Sequence, residues 1–178
     1  MKTIPNYNNI DPNEGGSFGN LPEGGYVCVI TKVTDKPDKE YLEIEYDIAE
    51  GDFAGWWSKT AERAGFWGGK LIRSYKDSAV GFFKGFITAV EQSNPGYVWN
   101  WNEQSLVGKA VGLVLGLEEY RKQDGSYKDR LYIARNTSVD KIRKREFTVP
   151  DYKPCKDKPA SAGFAPEYNE FTDADCPF

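Results

Sequence analysis

The sequence predicts a mainly β domain with one helix, followed by an acidic tail without regular structure. Two pairs of strand-like runs, within residues 24–48 and 108–136, each surround a short polar turn. Between them, residues 77–93 change to the apolar spacing of a helix. Prolines become frequent and the apolar periodicity ends after residue 149. We therefore expect a lead-in at residues 1–20, a folded domain at 21–149, and a Pro-rich linker with an acidic tail at 150–178.

The first hairpin is the clearest element. Along residues 41–48 apolar and polar positions alternate, which predicts a strand with one face in the core and one in water. The core face comprises Leu42, Ile44, Tyr46 and Ile48, and the wet face comprises Tyr41, Glu43, Glu45 and Asp47. The run before it, at residues 26–34, is rich in Val, Ile and Thr, and Pro37 marks the turn between the two. A lone hairpin is not stable, so later strands must complete a sheet or barrel.

A third strand is predicted at 51–59, where glycines flank a short aromatic run. In the stretch that follows, Gly68-Gly69 leaves the backbone free to bend or to approach a ligand closely. From residue 77 the chain predicts a helix that Asp77 or Ser78 caps and that Asn94-Pro-Gly ends. Its apolar stripe, expected to be core, comprises Ala79, Phe82, Phe83, Phe86, Ile87 and Val90.

The second hairpin completes a recognisable order of elements. An apolar run punctuated by glycines, residues 108–117, leads to the turn signal Asp124-Gly125 and to a further strand at 127–136. Three strands, a helix and two strands is the layout of the OB-fold, a five-stranded Greek-key barrel that binds oligonucleotides or oligosaccharides. A five-stranded sheet of another topology stays open, because the number of strands does not fix their pairing.

Composition points away from catalysis and from cofactors. The chain has no histidine, which removes the commonest general base and the commonest metal ligand. Its three cysteines, Cys28, Cys155 and Cys176, are too few and too widely spaced for a disulfide framework or a zinc site, so we expect reduced thiols. With no apolar run of transmembrane length and no signal peptide, the chain is expected in the cytoplasm. We expect neither an enzyme nor a bound cofactor or metal.

Charge is divided unevenly along the chain. Residues 1–55 hold four basic and eleven acidic residues, whereas residues 56–145 hold sixteen basic and nine acidic residues. The net charge of −4 therefore conceals a basic middle region that can attract an anionic partner.

Two stretches of this middle region interleave aromatic and basic side chains. The first comprises Trp56, Trp57, Lys59, Trp67, Lys70, Arg73 and Tyr75, and the second comprises Arg121, Lys122, Tyr127, Lys128, Arg130, Tyr132 and Arg135. Single-stranded nucleic acid suits this combination, because bases stack on flat side chains while cations follow the phosphates. The alternative is that the aromatic side chains belong to the core and that the basic side chains form a solvated face. A nucleic-acid path must also avoid the acidic face of the second strand.

A catalytic interpretation would rest on three carboxylates. The carboxylates Asp47, Glu50 and Asp52 are close enough in sequence for a two-metal nuclease. They follow a strand, where acidic turns are ordinary, and no histidine or lysine constellation accompanies them. A nuclease or a strand-annealing protein is therefore a distant third possibility.

The C-terminus carries a family resemblance. The residues Asp173, Asp175, Cys176, Pro177 and Phe178 resemble the tip of bacterial single-stranded DNA-binding proteins, although Ala174 interrupts the acids. The resemblance implies that Asp173, Asp175, Pro177 and Phe178 contact partner proteins of replication or recombination.

The body, over about residues 21–149, resembles a group of bacteriophage proteins encoded among replication and recombination genes. The segments at 21–28, 66–75 and 81–86 carry this likeness. It implies an OB-fold protein from a phage or prophage, in the cytoplasm of the bacterial host, that coats single-stranded DNA without sequence preference. The runner-up is an OB-type protein-interaction or recombination-accessory module that does not itself coat DNA.

Overall fold

Two β-hairpins, packed against one long helix, organise the chain. The computed structural model describes residues 21–155. Its five strands are β1 (Gly24–Lys36), β2 (Tyr41–Ile48), β3 (Lys70–Ser74), β4 (Ala110–Arg121) and β5 (Tyr127–Thr137). Its helices are α1 (Trp56–Ala64), α2 (Val80–Ser93) and α3 (Val139–Arg143), with short 3-10 turns at Pro37–Lys39 and Glu103–Leu106. The mainly β class, the number of strands and the helix between β3 and β4 are confirmed, whereas the prediction of a single helix is wrong.

The strands form one antiparallel sheet in the order β3-β2-β1-β4-β5. Four antiparallel pairings in a row leave the two edge strands, β3 and β5, running in the same direction. Arg73 on β3 donates a hydrogen bond to Asn136 on β5. The sheet is therefore open in its backbone pairing, but its two edges come within reach of each other's side chains.

The predicted faces of β2 are confirmed, with one exception. Leu42 and Ile44 are buried in the main core, and the 3-10 turn that starts at Pro37 connects β1 to β2. Asp47, expected in water, is 6% exposed. Its carboxylate is buried because it accepts hydrogen bonds from the backbone N–H of Trp57 (2.9 Å) and of Ser58 (3.2 Å), at the start of α1.

The predicted third strand at 51–59 is wrong: this stretch turns into α1, and the third strand lies at Lys70–Ser74. Gly55, with φ of 70°, occupies the N-cap position in a left-handed conformation. It carries no side chain, so Asp47 supplies the capping oxygens from β2. The glycines that suggested a strand bend are the entry to a helix.

Helix α2 lies against the sheet through most of the predicted stripe. Phe86 and Val90 are completely buried, and Asn94 closes the helix. The prediction that Phe82 lies in the core is wrong: this residue, at the edge of the apolar stripe, is 79% exposed. The capping prediction is also wrong, since the N-cap is Ala79 and no side chain caps the helix there.

The β4–β5 hairpin extends beyond β1, which pairs with β4 only up to Leu115. Past that point the chain from residue 150 takes the place beside β4. Lys153 bridges in parallel to Glu118, with backbone hydrogen bonds to residues 117 and 119. The predicted linker therefore pairs with the sheet at Lys153.

The tryptophans that follow α2 and the cysteines differ in how deeply they are buried. Trp99 packs on the core, whereas Trp101, at φ of 63°, is 82% exposed. Cys28 is buried and Cys155 half-buried, both as free thiols, and Cys176 lies outside the described residues. No helix within residues 21–155 is long and apolar enough to cross a membrane.

Candidate nucleic-acid interface

A cleft separates β5 from β3 and α1. It consists of two adjoining cavities of about 600 and 690 Å³. Both are lined by Trp57, Arg130 and Leu131, so they form one continuous depression. The cleft follows the gap between the sheet's two edges, the place where backbone pairing is missing.

The α1 side of the cleft is built by local packing. The cap from Asp47 starts α1 at Trp56-Trp57, and these two indoles pack against the core. The Trp57 ring lies edge-on to Tyr46, with 6.3 Å between centroids. A Cβ at Gly68 would come within 2.6 Å of the Trp57 ring, and one at Gly69 would also be too close. The glycine pair therefore leaves room for a tryptophan.

Basic side chains dominate the cleft. Six line it, namely Lys59, Arg63, Lys70, Arg73, Lys128 and Arg130. Only Glu118 and Asp129 oppose them among the residues lining the two cavities. A surplus of four positive charges in a concave surface concentrates anions there.

Two of these cations already have acidic neighbours. Lys70 lies 3.3 Å from both Glu43 and Glu45, and these carboxylates raise its pKa. Arg130 donates to Glu118 at 2.7 Å. Such exposed pairs contribute about 0–1 kcal/mol, so a phosphate can replace the carboxylate at little cost. The acidic face of β2 is thus partly neutralised by Lys70.

The structure brings the two predicted stretches together. Trp56, Trp57, Lys59, Lys70 and Arg73 line one side. Opposite them, on β5, lie Lys128, Arg130 and Tyr132. These eight residues lie far apart in sequence, and the order of strands in the sheet makes them neighbours.

Other predicted site residues lie away from the cleft. The hydroxyl of Tyr75 donates to Asp35 at 2.8 Å, which raises the pKa of Tyr75 to about 12, and its ring packs edge-on against Phe83. Trp67 donates from its indole to the carbonyl of Gly69 at 3.0 Å. Both are placed by contacts within the fold.

The remaining four predicted site residues lie at the tip and at the far end of the β4–β5 hairpin. Arg121 and Lys122 are exposed beside the turn, Tyr127 is half-buried at the start of β5, and Arg135 is exposed near its end. They do not line the two cavities. Their role in binding stays a prediction.

Asp47 and Glu50, two of the three carboxylates of the nuclease interpretation, have structural partners. Asp47 caps α1, and Glu50 accepts two hydrogen bonds from Arg143 on α3. Within residues 21–155, no three His, Cys, Asp or Glu side chains are grouped as metal ligands would be.

Sequence reasoning missed three charged residues of the cleft: Arg63, Glu118 and Asp129. Arg63 follows Lys59 by four residues, a spacing that places both on one helix face. The predicted strand at 51–59 obscures that helical spacing, because it ends before Arg63.

The four predicted tip residues, Asp173, Asp175, Pro177 and Phe178, lie outside the described residues. No protein-family model matches the chain, and no curated protein sequence is significantly similar to it.

Proposed function

We propose that this chain is a single-stranded DNA-binding protein with an OB-type barrel, and that the cleft is its binding surface. The sheet order β3-β2-β1-β4-β5 with parallel edges is the order in which an OB barrel pairs its strands. The resemblance to phage replication and recombination proteins supports a role in coating single strands during those processes, in the bacterial host cytoplasm.

One observation carries the proposal: two aromatic and basic stretches, far apart in sequence, meet across one cleft. Cations on both sides can neutralise a phosphate chain running between them. Trp56, Trp57 and Tyr132 are half-buried, and the parts of their rings that line the cleft offer surface on which bases can stack. Every base has a π-face, so such a surface favours single strands without selecting a sequence.

The experiment compares oligo(dT) of about 20 nucleotides with a duplex of the same length, by fluorescence anisotropy over a range of salt concentrations. A surplus of four charges predicts a slope of log K against log salt of about −3, from −0.7 per neutralised phosphate. The double variant Lys128→Gln and Arg130→Gln should flatten the slope by about 1.4. The control is Lys84→Gln, an exposed lysine on α2 outside the cleft, which removes one charge where the double variant removes two.

Two results would contradict the proposal. A flat salt dependence would mean that the basic residues are a solvated face. A loss of binding free energy in the Lys84 control about half as large as in the double variant would mean that the effect comes from net charge and not from the cleft.

A second candidate is a protein-interaction or recombination-accessory module without a DNA-coating role. The observation favouring it is the exposure of apolar side chains on α2 and the loop after it: Phe82 is 79%, Val98 74% and Trp101 82% exposed. Exposed aromatic residues are common at protein interfaces. If neither single strands nor duplex bind in the anisotropy assay, this second candidate replaces the first.

The proposal includes the C-terminal tip as a docking peptide for host or phage replication proteins. Residues 167–178 hold four acidic residues and no basic one. Phe178 adds an aromatic ring and a carboxylate on the same residue, which one basic, apolar-floored pocket can capture.

A further inference from the structure

Arg73 differs from the other cations of the cleft. It is half-buried, and its guanidinium lies 5.5 Å from the centre of the Phe86 ring, over the core. Its Nη1 donates to the carbonyl of Ile72 at 2.9 Å, and its Nη2 donates to the side-chain oxygen of Asn136. Both acceptors are neutral. Within residues 21–155, no carboxylate lies within ion-pair distance of this guanidinium.

The guanidinium also retains unused donors. It has five N–H groups, of which the two described bonds use two. Its Nε is fully enclosed and has no hydrogen-bond partner among the described residues. Burial lowers the pKa of Arg73 to about 10, so the group remains a cation at neutral pH in surroundings that do not favour its charge.

Proteins rarely bury a cation without an anion, because the lost hydration must be replaced. Here the compensating anion is not within the described chain, yet the guanidinium lines a cavity of about 600 Å³ that is part of the cleft. Lys70 and Arg130, which line the same cavity, already have carboxylate neighbours. Among the three cations of this cavity, Arg73 is therefore the one best prepared for an anion from outside.

We propose that Arg73 is the anchor of a phosphate subsite between β3 and β5, which holds one phosphate of the bound strand. This inference rests on the proposed function. Asn136 and the Ile72 carbonyl fix the guanidinium plane from both edges of the sheet. The second N–H of Nη1 and of Nη2 remains for phosphate oxygens, whereas the enclosed Nε cannot reach a ligand in the cavity. The bound nucleic-acid strand would thus enter the gap between β3 and β5 and not merely lie across its rim.

The first experiment compares Arg73→Met and Arg73→Lys with the control Lys84→Met. We expect Arg73→Met to lower affinity for oligo(dT) more than tenfold and to flatten the salt slope by about 0.7, the contribution of one phosphate. Arg73→Lys should keep the slope while losing part of the affinity, because a point charge replaces a fork of donors. The Tm of Arg73→Met should equal or exceed that of the unchanged protein, since the uncompensated cation is gone. A lower Tm with unchanged affinity would overturn the proposal and make Arg73 a clamp between the edges.

A second experiment separates this subsite from the proposed function by using inorganic phosphate as the probe. At matched ionic strength, phosphate should raise the Tm of the unchanged protein above the value in chloride, and this difference should shrink in Arg73→Met. If phosphate stabilises through Arg73 but oligo(dT) does not bind, the subsite stands and the proposed function fails. If oligo(dT) binds equally well to Arg73→Met, the subsite fails and the proposed function stands. Oligonucleotides with and without a 5′-phosphate then distinguish a terminal phosphate from an internal phosphodiester.

Discussion

Replacing Asp47 tests how the cleft is built. Its carboxylate accepts from the backbone N–H groups of Ile48 (2.8 Å), Trp57 (2.9 Å) and Ser58 (3.2 Å), and also from the Ser58 hydroxyl. Losing a helix cap costs about 0.5–2 kcal/mol, and each buried donor left without a partner costs about 1–3 kcal/mol. Since some of these donors can turn to water, we expect Asp47→Ala to lower the free energy of unfolding by about 3–4 kcal/mol.

Urea unfolding followed by tryptophan fluorescence measures this loss, provided that the m-value is unchanged. Asp47→Asn keeps the shape and one acceptor oxygen, so it should lose about 1–2 kcal/mol. The control is Glu43→Ala on the same strand, where an exposed pair with Lys70 is removed at a cost of about 0.5 kcal/mol. If Asp47→Ala costs no more than Glu43→Ala, the capping role is wrong. A stable Asp47→Ala protein with intact DNA binding would contradict the dependence of the cleft on α1.

Four further expectations concern other parts of the chain. Tyr132→Ala should cost about 1–3 kcal/mol of single-strand binding with an unchanged Tm, whereas a lower Tm with unchanged affinity would make it a packing residue. Deleting 167–178 should leave oligo(dT) binding intact or slightly tighter at low salt and abolish capture of replication proteins in a pull-down; lost DNA binding or unchanged capture would contradict this. Phe86→Ala should cost about 3–5 kcal/mol in urea unfolding, but Phe82→Ala less than about 0.5, and equal losses would refute the burial assignment. Cys28 should resist thiol labelling in native protein, because burial raises its pKa and blocks access, and rapid modification found by peptide mass spectrometry would disprove this.

The hairpins were predictable because strand alternation is a local property. Leu42 and Ile44 reveal their face within eight residues, and Asp124-Gly125 marks its turn without reference to the rest of the chain. Helix α1 was not predictable in that way. Its cap is Asp47, ten residues before Trp57, so the local pattern of glycines and aromatics indicated a strand instead.

The cleft was predictable only in composition. Both sets of aromatic and basic residues could be found in the sequence, but their meeting depends on β3 and β5 being the two edges of the sheet. Tyr75 shows what composition cannot predict: Arg73, two residues before it, lines the cleft, whereas the Tyr75 side chain is directed to Asp35 by a hydrogen bond. The order in which the strands pair decides which side chains reach the cleft, and no short segment of the sequence encodes that order.

The short pairing of Lys153 with β4 has a consequence for stability against self-association. Beyond Leu115, β4 would otherwise present bare backbone donors and acceptors, the kind of strand margin that recruits other chains. Residues 152–154 cover this margin, with hydrogen bonds joining the backbone of Lys153 to residues 117 and 119. A protein cut at residue 149, where the apolar periodicity of the sequence ends, would lose that cover. Such a shortened chain would be prone to add strands from its neighbours, and a cut after residue 155 would retain the protection.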